Sequence, residues 1–262
     1  MNPYGAYTFA HDRAVYLVDL YDLLHNRRQR AARSDWVSSF KELMHWNQGD
    51  EVHRVDGDNC ILVMRNPSDW TMQHFAHDHL SELLRSAIVC GVSAMDRFFH
   101  DVVLDNSLKL LRRADADVPK TLREVKLSLI DADAAIAHAL KGRANGARSR
   151  PRNTLKARLA EALHQHTFQS SSGVEHAMGM LGLGKPWGDL SRHMQGSAED
   201  VKARLNGIVR RRNQIVHEGD LVRTARPQSP KMHDAVSATV RDDLDWLKSL
   251  VTNVNNRVQA EL

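Results

Sequence analysis

The chain has 262 residues, 42% of them apolar and 26% charged, with a net charge of +4 when histidines are neutral. A chain of that length can bury a core in one large or two small domains, and the balance is ordinary for a soluble globular protein. No apolar run approaches the length of a membrane span, and Met1 to Asp12 lacks the basic, apolar and small-residue series of a secretory leader. A cytoplasmic location with no membrane attachment follows as an expectation, and in a reducing compartment Cys60 and Cys90 stay free thiols.

Helix signals dominate. Asp12 to Arg33 carries Val15, Val18, Leu20, Leu23 and Leu24 among charges and predicts an amphipathic helix, with a short second one from Asp35 to Trp46. The pattern then changes. Val52-His53-Arg54-Val55 and Cys60-Ile61-Leu62-Val63-Met64 flank Asp56-Gly57, which predicts a hairpin. Asn66-Pro67-Ser68 breaks the chain, and a long helix follows from about Trp70 to Arg113. Its apolar face holds Leu80, Leu84, Ile88, Val92, Met95, Phe98, Phe99 and Val103. Pro119 opens another expected helix to Leu140. Lys141 to Asn153 reads as a basic loop, Thr154 to His166 and Gly173 to Leu181 as short helices, and Gly184 to Gly196 as loop. Ser197, with Asp200 three residues on, has the pattern of a capping box and starts a helix that runs to Val216 or His217 and stops at Gly219. After Ser229-Pro230 a last helix carries Met232, Val236, Val240, Leu244, Leu247, Val251, Val254 and Val258. The expected fold is mainly α, with an N-terminal helix-and-hairpin region over residues 1–66 and a helical body over residues 67–262.

Two features carry chemistry. Between Ala134 and Ala160 there are seven basic residues, among them Arg148, Arg150 and Arg152, and no acidic ones. Such a block suits a polyanion, although it equally suits a solvated arginine-rich loop. The second feature lies on the helix from Ser197. At 100° per residue, Val201, Leu205, Ile208, Val209, Ile215 and Val216 share one face, and Arg212 falls at its centre. A guanidinium in a core position breaks local consistency, and such breaks collect at functional sites. Asn206, Arg210, Asn213 and His217 line the neighbouring face. Asn213 stands four residues before His217, so its amide can reach the imidazole.

Arg212-Asn213-Gln214-Ile215-Val216-His217 resembles the signature of the HEPN ribonucleases: an arginine, a polar residue, three further residues and a histidine. The stretch from Arg211 to Asp220 is similar to that of the RiboL-PSP-HEPN branch, as is Val92 to Asp101 to that branch's first domain helix. The closing helix also fits, and the resemblance covers roughly Trp70 to Leu262. It implies an α-helical bundle that pairs two-fold. Its composite site would be a metal-independent endoribonuclease with no cofactor, in which Arg212, Asn213 and His217 are catalytic. Arg210 and Arg211, with Arg148, Arg150 and Arg152 of the basic run, would hold RNA. The family also implies a defence, stress or toxin role and an antitoxin or regulatory partner. Here the sequence departs from one pattern: members silenced by a nucleotidyltransferase carry a tyrosine two residues after the histidine, and this chain has Gly219. The alternatives are a non-catalytic HEPN-type module that binds RNA or protein, and a helical adaptor that binds no nucleic acid.

Other motifs carry less. Gly179-Met180-Leu181-Gly182-Leu183-Gly184-Lys185 has phosphate-loop spacing, but Pro186 replaces the hydroxyl residue and no strand precedes it. His74, His77 and His79 offer no tidy metal face, and Asp56 to Asn59 suits a turn better than a calcium loop. Trp36, Trp46, Trp70, Trp187 and Trp246 are scattered and read as core anchors.

Overall fold

The computed structural model describes residues 2–25, 28–30, 32–56, 61–65, 75–114, 117–126, 128–130, 132–134, 136–137, 151–222 and 230–262. The elements in chain order are helix α1 (Pro3–Leu24), strand β1 (Arg28–Arg30), α2 (Ser34–Leu43), β2 (Val52–Asp56), β3 (Ile61–Arg65), α3 (His77–Leu110), α4 (Lys120–Arg123), α5 (Pro151–Leu163), α6 (Ser171–Met180), α7 (Pro186–His193), α8 (Ala198–Glu218) and α9 (Ser237–Glu261). The protein is mainly α-helical, with one small antiparallel sheet in the order β1-β2-β3. No described helix is long and apolar enough to cross a membrane.

α3 is the axis of the molecule. Its apolar residues recur on nearly every turn, so it is buried on several sides rather than along one stripe. Tyr7 of α1, Met95, Phe98 and Phe99 of α3, Phe168, Met178 of α6, Leu205 of α8 and Leu250 and Val254 of α9 share one core. Ala14, Val18 and Tyr21 of α1 meet Leu84, Ala87 and Ile88 of α3 and Val240 and Leu244 of α9 in a second. α9 crosses α3 closely at Gly91, where a Cβ would stand 2.4 Å from Leu244 Cδ2. The buried His11 fixes α1 to α9 through Nε2 and the Leu244 carbonyl at 2.9 Å.

Several boundaries differ from expectation. α1 begins at Pro3, because Asn2 caps it (Oδ1 accepts from Gly5 N at 2.7 Å) and proline suits the first turn. It ends at Leu24, so residues 28–30, expected as helix, instead pair with β2, Arg28 opposite Asp56. α1 shares both cores with α3 and α9. The hairpin is present, Val52 opposite Arg65 and Asp56 opposite Ile61, while its turn lies outside the described residues. The helix expected from Pro119 to Leu140 is interrupted: a single turn at Lys120–Arg123 is followed by non-helical residues, residues 129–130, 132–134 and 136–137 are helical, and 127, 131, 135 and 138–140 lie outside the described residues. Residues 184–196, expected as loop, contain α7, which starts on Pro186 and buries Trp187 and Leu190. The last helix starts at Ser237, five residues past Met232, which forms an isolated bridge with Leu221.

Trp187 and Trp246 are core residues as expected. Trp36 and Trp46 belong instead to a half-buried cluster at the sheet. Trp36 stacks on Phe40 at 5.0 Å, Arg54 covers Trp36 and Arg65 covers Trp46, each at 5.4 Å. Trp70 lies outside the described residues. Cys90 is free and exposed on α3, and Cys60 lies outside the described residues.

Candidate functional site

α8 is built as its sequence requires. Ser197 Oγ accepts from Asp200 N at 3.1 Å and Asp200 Oδ2 accepts from Ser197 N at 3.0 Å, a complete capping box. The Ser197 donors hold the Asp200 carboxyl below its ordinary value. Val201, Leu205, Ile208 and Val209 are buried. Beyond Val209 the helix leaves the core: Ile215 is half-buried and Val216, expected on the apolar face, is 47% exposed.

Arg212 sits at this transition and is half-buried. Its Nη1 donates to Asn213 Oδ1 at 3.0 Å, and its Nε is buried with no hydrogen-bond partner among the described residues. A buried N–H left unmet costs about 1–3 kcal/mol. Asn213 was expected to orient His217, but its amide oxygen serves Arg212. A cationic donor next door outcompetes an imidazole one turn away. Asp96 of α3 accepts from Phe168 N at 2.7 Å and Gln169 Nε2 at 3.0 Å. His217 is exposed, as are Arg210 and Asn213, so these three form an open strip. Arg212 and His217, five residues apart, are separated by about 7.5 Å along the helix and about 140° around it. Within one chain they do not share a face.

Arg211, expected to hold RNA, faces the other way. It forms a two-pronged bond with Asp220, through Nη1 to Oδ1 and through Nη2 to Oδ2 at 2.8 Å. Asp220 is completely buried and also receives Arg85 Nε at 2.6 Å. Arg85 is 4% exposed and satisfied further by Ser81 Oγ at 2.6 Å and the His233 carbonyl at 2.7 Å. The backbone makes this possible: Gly219 and Asp220 both adopt left-handed conformations, φ 61° and 59°, which turn the chain sharply after the helix. Arg211 Nη2 also reaches the Asp234 carbonyl at 3.1 Å. The Asp234 side chain accepts from His77 Nε2 at 2.8 Å, a bond that holds its carboxyl below the ordinary value, and His77 Nδ1 meets Tyr21 OH at 2.8 Å. The end of α8 is thus tied to α3, to α1 and to the segment that leads into α9. A cavity of about 720 Å³ borders this network, lined by His77, Ser81, Arg85, Lys231, His233 and Asp234 among others.

Sequence reasoning missed Asp220 and Arg85. One signal was available. An acid just past a helix C-terminus sits at the negative end of the dipole, where it needs a cation nearby.

The basic run is only partly visible. Arg148 and Arg150 lie outside the described residues, and Arg152 lies in the first turn of α5, where side chains are not described. Of the run's later members, Lys156 pairs with Asp105 at 2.6 Å and Arg158 with Glu161 at 2.8 Å. α5 ends at a cleft of about 420 Å³ against α3, lined by Arg97, His100, His164, His166 and Thr167 among others. The Gly179–Lys185 stretch is the end of α6 and its connection to α7, with Gly182 and Lys185 left-handed. Among the described residues no group of three His, Cys, Asp or Glu side chains could hold a metal ion. Compared with known proteins, the chain matches no family model, no curated protein and no solved structure.

Proposed function

We propose that this protein is a metal-independent endoribonuclease that uses the 2′-hydroxyl of RNA as the nucleophile. The observation that supports this most is the presence of an under-satisfied Arg212 and an exposed His217 near the anchored C-terminal end of one helix. An imidazole can take the proton of a 2′-hydroxyl or deliver one to the leaving 5′-oxygen. A guanidinium can bind the phosphate and stabilise the charge that develops on it. Asn213 then acts on Arg212, which it holds by its amide oxygen, rather than on His217. Arg210, exposed on the same strip, would contact the RNA backbone.

Because Arg212 and His217 diverge by about 140° on one helix, one chain is a poor site on its own. Two copies paired through this end of α8 would place the arginine of one near the histidine of the other, as the HEPN resemblance implies. A homodimer in the cytoplasm, under the control of an inhibitor or trigger, belongs to the same proposal.

The second reading is a non-catalytic module that binds RNA or a partner protein. One observation favours it: His217 has no orienting partner among the described residues. The chemistry of the products separates the two. Incubated in EDTA, the enzyme should yield fragments ending in 2′,3′-cyclic phosphate and 5′-hydroxyl, and should leave the all-deoxy strand intact. Binding without cleavage, or 5′-phosphate products, would overturn the proposed mechanism.

A further inference from the structure

Between α5 and α6 the chain crosses residues 164–170 without helix, and side chains hold it to the body. Asp96 of α3 accepts from Phe168 N at 2.7 Å and from Gln169 Nε2 at 3.0 Å. At the far end Ser171 N donates to Asn206 Oδ1 of α8 at 2.9 Å, and Asn206 Nδ2 donates to Ser171 Oγ at 2.9 Å. The fit is tight: a Cβ on Gly173 of α6 would stand 2.5 Å from the Thr167 carbonyl oxygen. A segment packed this closely has little room to absorb a new charge by a small shift.

Four imidazoles gather around this connection. His100 of α3 packs on the buried Phe168 ring at 4.5 Å and lies 6.0 Å from His164. His166 runs parallel to Phe168 and stacks on His176 of α6 at 5.3 Å. His176 Nε2 is buried with no hydrogen-bond partner among the described residues. In the cation both ring nitrogens carry hydrogen, so a proton on His176 would bury a charged N–H with nothing to accept it. His100 acts differently. Its Nε2 lies 3.8 Å from Asp96 Oδ1, the same oxygen that accepts from Phe168 N. Once charged, the imidazole competes for that oxygen, because a bond between two charged groups is stronger than one from a neutral amide.

We propose that this connection is an acid-released latch: protons taken up by His100 and His176 part residues 164–170 from α3 and widen the adjoining cleft of about 420 Å³. The inference stands whether or not the α8 strip cuts RNA. The groups facing His100 are Asp96, Arg97 and Asp101 on α3, His164 just past α5 and the backbone of His166. Asp101 is already bound by Arg97 Nε at 2.8 Å. His176 faces His166 and Glu124, the residue after α4. Burial holds both imidazoles below their ordinary value in the closed form, and opening to water returns them toward it. The open form therefore binds protons more readily, so opening gains as the pH falls below about 6.5. An imidazole that charges only on opening favours it about tenfold at about pH 5.5.

The test is amide hydrogen exchange on the full chain at about pH 7.5 and about pH 5.5, expressed as protection factors so that the intrinsic effect of pH on exchange is removed. Peptides spanning residues 164–170 should lose about tenfold or more of their protection at the lower pH. Peptides from α2, which belongs to the aromatic cluster at the sheet, should keep theirs. His100→Phe and His176→Phe keep a ring in place but cannot take a proton. Each should remove about a tenfold share of the loss, and the double variant should be indifferent to pH. His100→Gln, which keeps a polar group, should also remove the His100 share, and serves if the double variant does not fold. Protection of residues 164–170 that is unchanged in the wild type would overturn the latch. So would a fall of the same size in α2, or an undiminished fall in the variants.

Discussion

Arg211 and Arg212 are neighbours on one helix and meet opposite fates. Arg211 turns inward to a buried carboxylate, shares it with Arg85 and completes a closed network at the end of α8. Arg212 makes one bond to the adjacent Asn213 and leaves a buried nitrogen unmet. The contrast separates two duties that the sequence superimposes. The inward arginine anchors the helix end, and Arg212 is half-buried, with its bond to Asn213 beside it. Anchoring one side of the helix end is what allows the other to stay under-satisfied without fraying.

The largest expected effect is on the closed side. Asp220→Ala leaves two guanidinium groups, one of them almost fully buried, without their anion. It should destabilise the fold by about 3–5 kcal/mol in a denaturant titration. Arg211→Ala should cost less, about 1–3 kcal/mol, because Asp220 keeps Arg85. If Arg212→Ala proved as destabilising as Asp220→Ala, the division between the two sides would break. On the open side, Arg212→Ala should leave stability within about 1 kcal/mol of the wild type. Asn213→Ala should reduce RNA cleavage by a smaller factor than Arg212→Ala, because it removes only the group that holds the guanidinium. An effect on Asn213→Ala equal to that of His217→Ala would instead mean that the amide serves the imidazole.

A milder effect concerns pH. His25, His100 and His176 are all held below the ordinary value of 6.5, chiefly by burial. For each, the unfolded chain binds protons more readily than the folded one, so stability rises with pH. The contribution is intact above about pH 6.5 and declines as the pH falls through the depressed values. The melting temperature should therefore drop between about pH 7.5 and about pH 5.5, before the hydrogen-bonded Asp200 and Asp234, whose values are lowered, begin to protonate. A melting temperature that stays flat or rises as the pH falls over that interval would contradict the lowered values of these half-buried imidazoles.

What the sequence disclosed was local. The capping box at Ser197, the stop at Gly219 and the β2–β3 hairpin each depend on residues within a few positions of one another, and all are present. The placement of Arg212 on an apolar face was also readable, since periodicity alone determines it. What escaped was non-local or degenerate. Arg85 lies 135 residues from Asp220, and no pattern within either segment announces the other. β1 exists because it borders β2, so Arg28–Arg30 carries no strand signal of its own. α7 has only eight residues, too few for a periodic signature, and is fixed by the burial of Trp187 and Leu190. Asn213 could reach either a neighbour or a residue one turn on, and spacing does not choose between them.

The most direct test compares wild-type protein with Arg212→Ala and His217→Ala on one labelled RNA pool in EDTA, with thermal melts run in parallel. The account predicts cleavage by the wild type and a loss of about a hundredfold or more in each variant, with melting temperatures unchanged. Equal cleavage by all three proteins, or none by the wild type, would contradict it.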